Sequence, residues 1–115
     1  MIKEIVAIIR RGKWTETLAK LEEVGVIGIT RQRVYGRGKQ RGLRYGSEES
    51  TEKGISFLPK WMVTLVVEKT KMDAVVEIIL QTNRTGEIGD GKVFVCPIFD
   101  SVRIRTNENR EHSLR

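Results

Sequence analysis

The stretch Thr85 to Cys96, TGEIGDGKVFVC, decides how the chain is read. Gly86, Gly89 and Gly91 fall within six residues, and Lys92 follows them. Glycine has no Cβ, so such a loop turns sharply and can present backbone N–H groups to an anion. A lysine at its end can neutralise phosphate charge. The spacing from Gly86 to Lys92 approaches a Walker A loop and departs from it twice. Val93 stands where a Mg2+-binding Ser or Thr belongs, and the loop follows a helical pattern and precedes a strand, the reverse of the P-loop order. The expectation is an anion-binding glycine loop, not a P-loop NTPase.

Just upstream, Thr70 and Asp73 match a capping box. Met72, Val75, Val76, Ile79 and Leu80 follow at helical spacing and lay one apolar stripe on a core. Downstream, Val93 to Cys96 reads as a strand that Pro97 ends, because proline cannot donate in a central ladder. Val102 to Arg105 fits a short edge strand, and Asn107 to Arg115 a frayed polar tail. Toward the amino end, Trp61 to Val67 is a strand and Ile29 to Tyr35 a more polar one. Trp14, Leu18 and Leu21 recur at helical spacing, and Gly25 offers a stop. Ile2 to Ile9 alternates two apolar sets, which predicts a strand covered on both sides. Between these elements, residues 36–56 carry five glycines and no apolar period, as a functional or disordered loop does.

The order strand, helix, strand, long loop, strand, helix, strand is the split βαβ pattern of a ferredoxin-like fold. The expected class is therefore α+β, a βαββαβ sandwich with an antiparallel sheet and two helices on one face. Residues 1–115 form one domain, with the long loop at 36–56 between strands 2 and 3 and a flexible tail at 107–115. Both strand faces are apolar, so the second face is expected to meet another subunit.

Totals narrow the class further. At 115 residues the chain fits one domain with a modest core, which favours self-association. No apolar run reaches the length of a membrane span, and MIKEIVAIIRR carries Glu4 inside too short an apolar core for a signal peptide. One cysteine excludes an intramolecular disulfide. Together these favour the cytoplasm. The formal charge of +6 implies anionic partners without separating nucleotides from nucleic acid.

Six basic residues lie between Arg31 and Arg44 with no acid among them. They read as a solvated basic loop, a phosphate contact or a nucleic-acid arm. Tyr35 and Tyr45 are the only aromatics there, which weakens the last. Arg103 and Arg105 alternate on the last strand as phosphate clamps or as charges guarding an edge. Cys96 has no Cys or His partner and reads as a core thiol. His112, the single histidine, reads as exposed, and no catalytic set is available in an ordered region.

The segment TGEIGDGKVFVCPIFDSVRIRTNE resembles the signature of the PII nitrogen-regulatory signal proteins. VYGRGKQRG resembles the start of that family's T-loop and FLPK its end, while IKEIVAIIRRGKW and EVGVIGIT also fit. The GRGKQRG and VCPI forms look closest to the homologues encoded beside nitrogenase genes in archaea and some anaerobic bacteria. The resemblance implies a homotrimer that binds ATP or ADP, 2-oxoglutarate and Mg2+ as effectors in clefts between subunits. The nucleotide residues it implies are Ile8 and Thr30 near the adenine, with Gly36, Arg37, Gly38, Lys39, Gln40, Gly89, Asp90, Gly91, Lys92, Arg103 and Arg105. For 2-oxoglutarate it implies Gly38, Gln40, Lys60 and Gly89, and for Mg2+ it implies Gln40. An amide oxygen suits Mg2+, and an ammonium suits a dianion. The tip RYGSEESTEKG departs from the enteric pattern, because Tyr45 lies too early to match the modified tyrosine.

The expected function is a non-enzymatic PII-type signal transducer whose T-loop controls a nitrogen-metabolism target. Nitrogenase leads as the target, and an ammonium transporter or glutamine synthetase follows. The alternatives of other classes are a basic nucleic-acid-binding module, which is not favoured, and a slow ATPase, which lacks a positioned base.

Overall fold

β1, Ile2–Arg10, lies inside a four-stranded antiparallel sheet. Its neighbours are β5, Leu58–Glu68, and β6, Lys92–Pro97, while β2, Ile29–Gly36, is the edge strand beyond β5. Helix α1 spans Trp14–Glu23 and α2 spans Lys69–Asn83. The computed structural model describes residues 1–37, 51–52 and 55–114. Within the long loop it shows β3, Thr51–Glu52, paired with β4, Ile55–Ser56.

Strand alternation builds the core. Ile5 faces Leu65 on one side and Val95 on the other, and Ala7 faces Val63 and Val93. Ile5, Ala7, Ile9, Val63, Leu65 and Val67 are buried with Leu21 of α1 and with Val75 and Ile79 of α2. Each of these Ile, Leu and Val side chains contributes roughly 1.5–3 kcal/mol by leaving water, and Ala7 less. The other sheet face carries Val6, Ile8, Met62, Val66, Phe94 and Cys96, none of which belongs to this core cluster. Cys96 is half-buried on that open face, so the reading as a core thiol is corrected.

Three further expectations are corrected. The second helix starts at Lys69, its N-cap is Glu68, and no side chain caps it. Thr70 and Asp73 therefore lie inside the helix. The amide of Lys69 donates instead to the Met1 carbonyl at 2.9 Å, so a strand end does part of the work of a capping side chain. Val102 to Arg105 does not join the sheet. Val102 makes one isolated bridge with Asn109, and the Asn107 amide donates to the Arg103 carbonyl at 2.7 Å, closing a turn. Finally, residues 110–114, expected to carry no regular structure, form a 3-10 helix. The Ser101 and Ser113 hydroxyls share a hydrogen bond, the Arg110 amide donates to the Ser101 carbonyl, and the terminal ammonium of Met1 pairs with Glu111.

The helices are joined by a contact that apolar periodicity does not show. Asn83 is buried, and its Nδ2 donates to Thr17 Oγ1 at 3.1 Å and to the Ile79 carbonyl at 2.9 Å. Thr17 in turn donates to the Lys13 carbonyl at 2.7 Å.

Candidate functional site

The glycine loop connects α2 to β6, as its sequence setting requires, and it is organised around the Asp90 carboxylate. Oδ2 accepts from the amides of Thr85 at 2.8 Å and Gly86 at 3.0 Å. Oδ1 accepts from the Thr85 hydroxyl and from Arg10 Nη1. These bonds, the Thr85 hydroxyl first, hold the Asp90 carboxyl well below the usual carboxylate range. Arg10 also donates through Nη2 to the Ile88 carbonyl at 3.0 Å. Gly86, Gly89 and Gly91 all have positive φ, between 89° and 108°. At Gly91 the requirement is absolute, because a Cβ would stand 1.8 Å from the Ile8 carbonyl oxygen. The loop therefore lies flat on β1, and Lys92 enters β6 directly opposite Ile8.

Lys60 ties this loop to the far end of the 36–56 segment. Its Nζ donates to the Gly89 carbonyl at 2.8 Å, although Lys60 sits near the start of β5 and is 7% exposed. Burial pushes its ammonium pKa down, and repulsion from Arg10 adds to this, while Asp90 pulls the other way. Of its three N–H donors, one is used among the described residues. The remaining two suit a carboxylate.

Ile8, Asp90, Gly91 and Lys92 line one open cleft of about 170 Å³ together with Asn83 and Arg84. The Asp90 carboxylate is turned inward onto the loop, so any contact with an anion would fall to the backbone. Thr30 lies in a second cleft of about 500 Å³ with Gly28, Thr64, Val66 and Ser113, and the two clefts share no lining residue. Thr64 and Val66 are candidates that sequence reasoning missed. Thr64 faces Thr30 across the β2–β5 ladder, and that pairing is the only signal that marks it. Gly36 faces Leu58, and Arg37 is exposed just beyond the end of β2. Arg103 donates to the Ser113 carbonyl at 3.1 and 3.3 Å and pairs with Glu108 at 3.5 Å. Within one chain, then, Gly89, Gly91, Lys92, Ile8 and Lys60 come together, while Arg103 engages the tail and Arg105 is exposed in the turn. Gly38, Lys39 and Gln40 lie outside the described residues. Among the described residues no group of three His, Cys, Asp or Glu side chains could hold a metal ion.

Comparison with known proteins gives this geometry its family. The family described as nitrogen regulatory protein P-II matches residues 2–108. A Methanobacterium ivanovii protein described as nitrogen fixation nifHD region GlnB-like protein 2 is 40% identical, covering 98% of this chain and 99% of that one. A nitrogen regulatory protein P-II of Microchaete diplosiphon is 42% identical, covering 98% of this chain and 100% of that one. The crystal structure of Arabidopsis thaliana PII bound to citrate superposes with a TM-score of 0.79 at 31% identity, covering 97% of this chain and 91% of that one. The chain belongs to the nitrogen regulatory protein P-II family, and its ferredoxin-like sheet and two helices are the fold of that family. Among the described residues no helix is long and apolar enough to cross a membrane.

Proposed function

We propose that this chain is a non-enzymatic cytoplasmic signal transducer that binds ATP or ADP at the glycine loop and 2-oxoglutarate beside Lys60. The bound state then sets the conformation of residues 36–56, and that segment engages or releases a nitrogen-metabolism target. The observation that carries this reading is the bond from Lys60 to Gly89, which joins the base of the long segment to the anion loop. A carboxylate on the two remaining donors of Lys60 would share the ammonium that holds the Gly89 carbonyl, so effector and loop are coupled through one side chain. A ligand shifts a loop only through differential affinity for its states, and this bond supplies such a difference. By linkage the target must alter effector affinity by the same factor.

Gly91 supports the phosphate assignment, because its missing side chain lets the loop backbone lie against β1. Lys92 supplies the charge. Gln40, the Mg2+ ligand that the resemblance implies, rests on the resemblance alone. A homotrimer fits two observations. The Val6, Ile8, Met62, Val66 face is apolar and outside the core, and the Thr30 cleft and the glycine loop are separate on one chain, so a second copy could complete each. Sedimentation equilibrium at micromolar concentration tests this, and a monomer would overturn it. The nifHD-region names of relatives support nitrogenase as the leading target.

Calorimetric titration of the full chain with Mg-ATP, with and without 2-oxoglutarate, tests the central reading. Lys92→Ala should weaken both ATP and ADP, and unchanged titrations would remove the glycine loop from the site.

A further inference from the structure

Arg31 and Arg33, which open the basic run, are not among the residues assigned to the glycine-loop site, and both are built into an ordered cluster. β2 is an edge strand bonded to β5 alone. Arg31 and Arg33 stand two residues apart on it, opposite Val63 and Trp61, on the face that the helices cover. The Arg31 guanidinium lies over both indoles, 4.1 Å from the Trp61 ring centre and 4.8 Å from that of Trp14. Arg33 is 5.8 Å from Trp61. Arg11 lies 5.3 Å from both Trp61 and Tyr35 and also donates to the Lys60 and Val34 carbonyls, so it serves the scaffold.

A charge that merely guards a sheet edge needs no such setting. Here three guanidiniums gather on one indole despite their mutual repulsion. Stacking on an aromatic face leaves the N–H fork of a guanidinium directed outward in its own plane. It also fixes rotamers that would otherwise be lost on binding. Arg31 and Arg33 are exposed, and no carboxylate among the described residues pairs with either.

We propose that Arg31 and Arg33, stacked on Trp61 beside the base of the 36–56 segment, form a docking surface for an acidic protein segment. Each guanidinium grips one carboxylate of the partner. Their Cα atoms stand about 6.5 Å apart along the strand, the backbone repeat of same-side residues in an extended peptide, so a partner running beside β2 would present alternate acidic residues to the pair. Nucleic acid fits less well, because the indole faces that could stack a base are already covered by guanidiniums. The surface lies outside the effector site and needs no nucleotide.

The test uses the full chain and a short fluorescent peptide alternating Glu and Thr, read by anisotropy. Arg31→Ala with Arg33→Ala should weaken binding by roughly tenfold, the loss of two solvent-exposed ion pairs. Lys20→Ala with Lys69→Ala removes the same charge from exposed helix positions and should change it by less than about twofold. Arg31→Lys with Arg33→Lys keeps the charge without the fork and should behave like the alanine pair. It also stands in for that pair if alanine prevents folding. Trp14 and Trp61 are the only tryptophans, so their emission should shift as the peptide saturates. The proposal is overturned if the lysine pair binds like the parent, if the charge-matched control falls as far as the alanine pair, or if emission stays unchanged at saturation. Preference for a single-stranded or duplex oligonucleotide over the peptide would also overturn it. Mg-ATP titration of the same variants is read separately, so failure of the effector site is distinguishable from failure of this surface.

Discussion

The glycine loop at 84–91 and the segment at 101–114 both carry groups that the family resemblance assigns to phosphate, but different physics holds each in shape. In the loop, Asp90 accepts from Thr85 and Gly86, a few residues away, and glycines take the three left-handed positions. In the segment, the ties come from farther off. Arg103 reaches Ser113, and Glu111 meets the opposite end of the chain. The loop's turn is set by its own residues, and Arg10, Lys60 and the β1 backbone then fix where that turn sits. A polar segment without apolar periodicity takes the shape its distant partners impose, and there strand alternation misleads.

The comparison can be broken at its strongest point by Gly91→Ala. The added Cβ collides with the β1 backbone at a left-handed φ, so a stability loss of about 3 kcal/mol or more in urea unfolding is expected, with nucleotide binding lost. A loss under about 1 kcal/mol would mean the loop is not pressed on β1 as described.

Asp90→Asn should cost about 1–3 kcal/mol, because the carboxylate is the loop's shared acceptor. The pH dependence has a definite sign. The folded carboxyl is held below its unfolded value of about 3.9, so its contribution is present above that pH and is lost as pH falls toward the depressed folded value. The Asn variant should therefore show a flatter acid limb, and parallel acid-unfolding curves would remove Asp90 from this role.

Arg103→Ala should cost about 1 kcal/mol through its bonds to Ser113. If ATP affinity also falls, the same guanidinium serves phosphate in the assembled protein. If affinity holds, Arg103 belongs to the tail alone.

Lys60→Met should have the smallest effect on stability, and stability can rise. Burial depresses its folded pKa, so the ammonium is a penalty below that value. The penalty is relieved as pH rises through the folded value toward about 10.4, where the unfolded chain still holds more protons. The variant should lose that alkaline gain and 2-oxoglutarate binding together, and retained effector binding in calorimetry would separate Lys60 from the site.

Where apolar period and local turn chemistry act together, the sequence is legible. Ile5, Ala7 and Ile9 alternate into a core strand, Val75 and Ile79 fall on the buried stripe of α2, and Gly86, Gly89 and Gly91 announce a left-handed loop. The capping box at Thr70 and Asp73 fails because a capping motif is judged locally, whereas the amide of Lys69 is met by the Met1 carbonyl. Thr17 and Asn83 escape notice because a polar pair buried between two helices has no sequence signal until the helices are packed. The stacked arginines look like a solvated run for the same reason: Trp14 and Trp61 are distant in sequence and meet Arg31 only through the sheet.

From sequence alone come the order of elements, the position of the glycine loop between α2 and β6, and the family that these motifs resemble. Each depends on neighbours along the chain or on a period that one segment carries by itself. Tertiary structure alone decided that Lys60 rests on Gly89, that Arg103 turns to Ser113, and that Thr30 and Lys92 line different clefts. Those outcomes depend on which strands and ends are brought within hydrogen-bond distance. No residue's own chemistry specifies that until the sheet has formed.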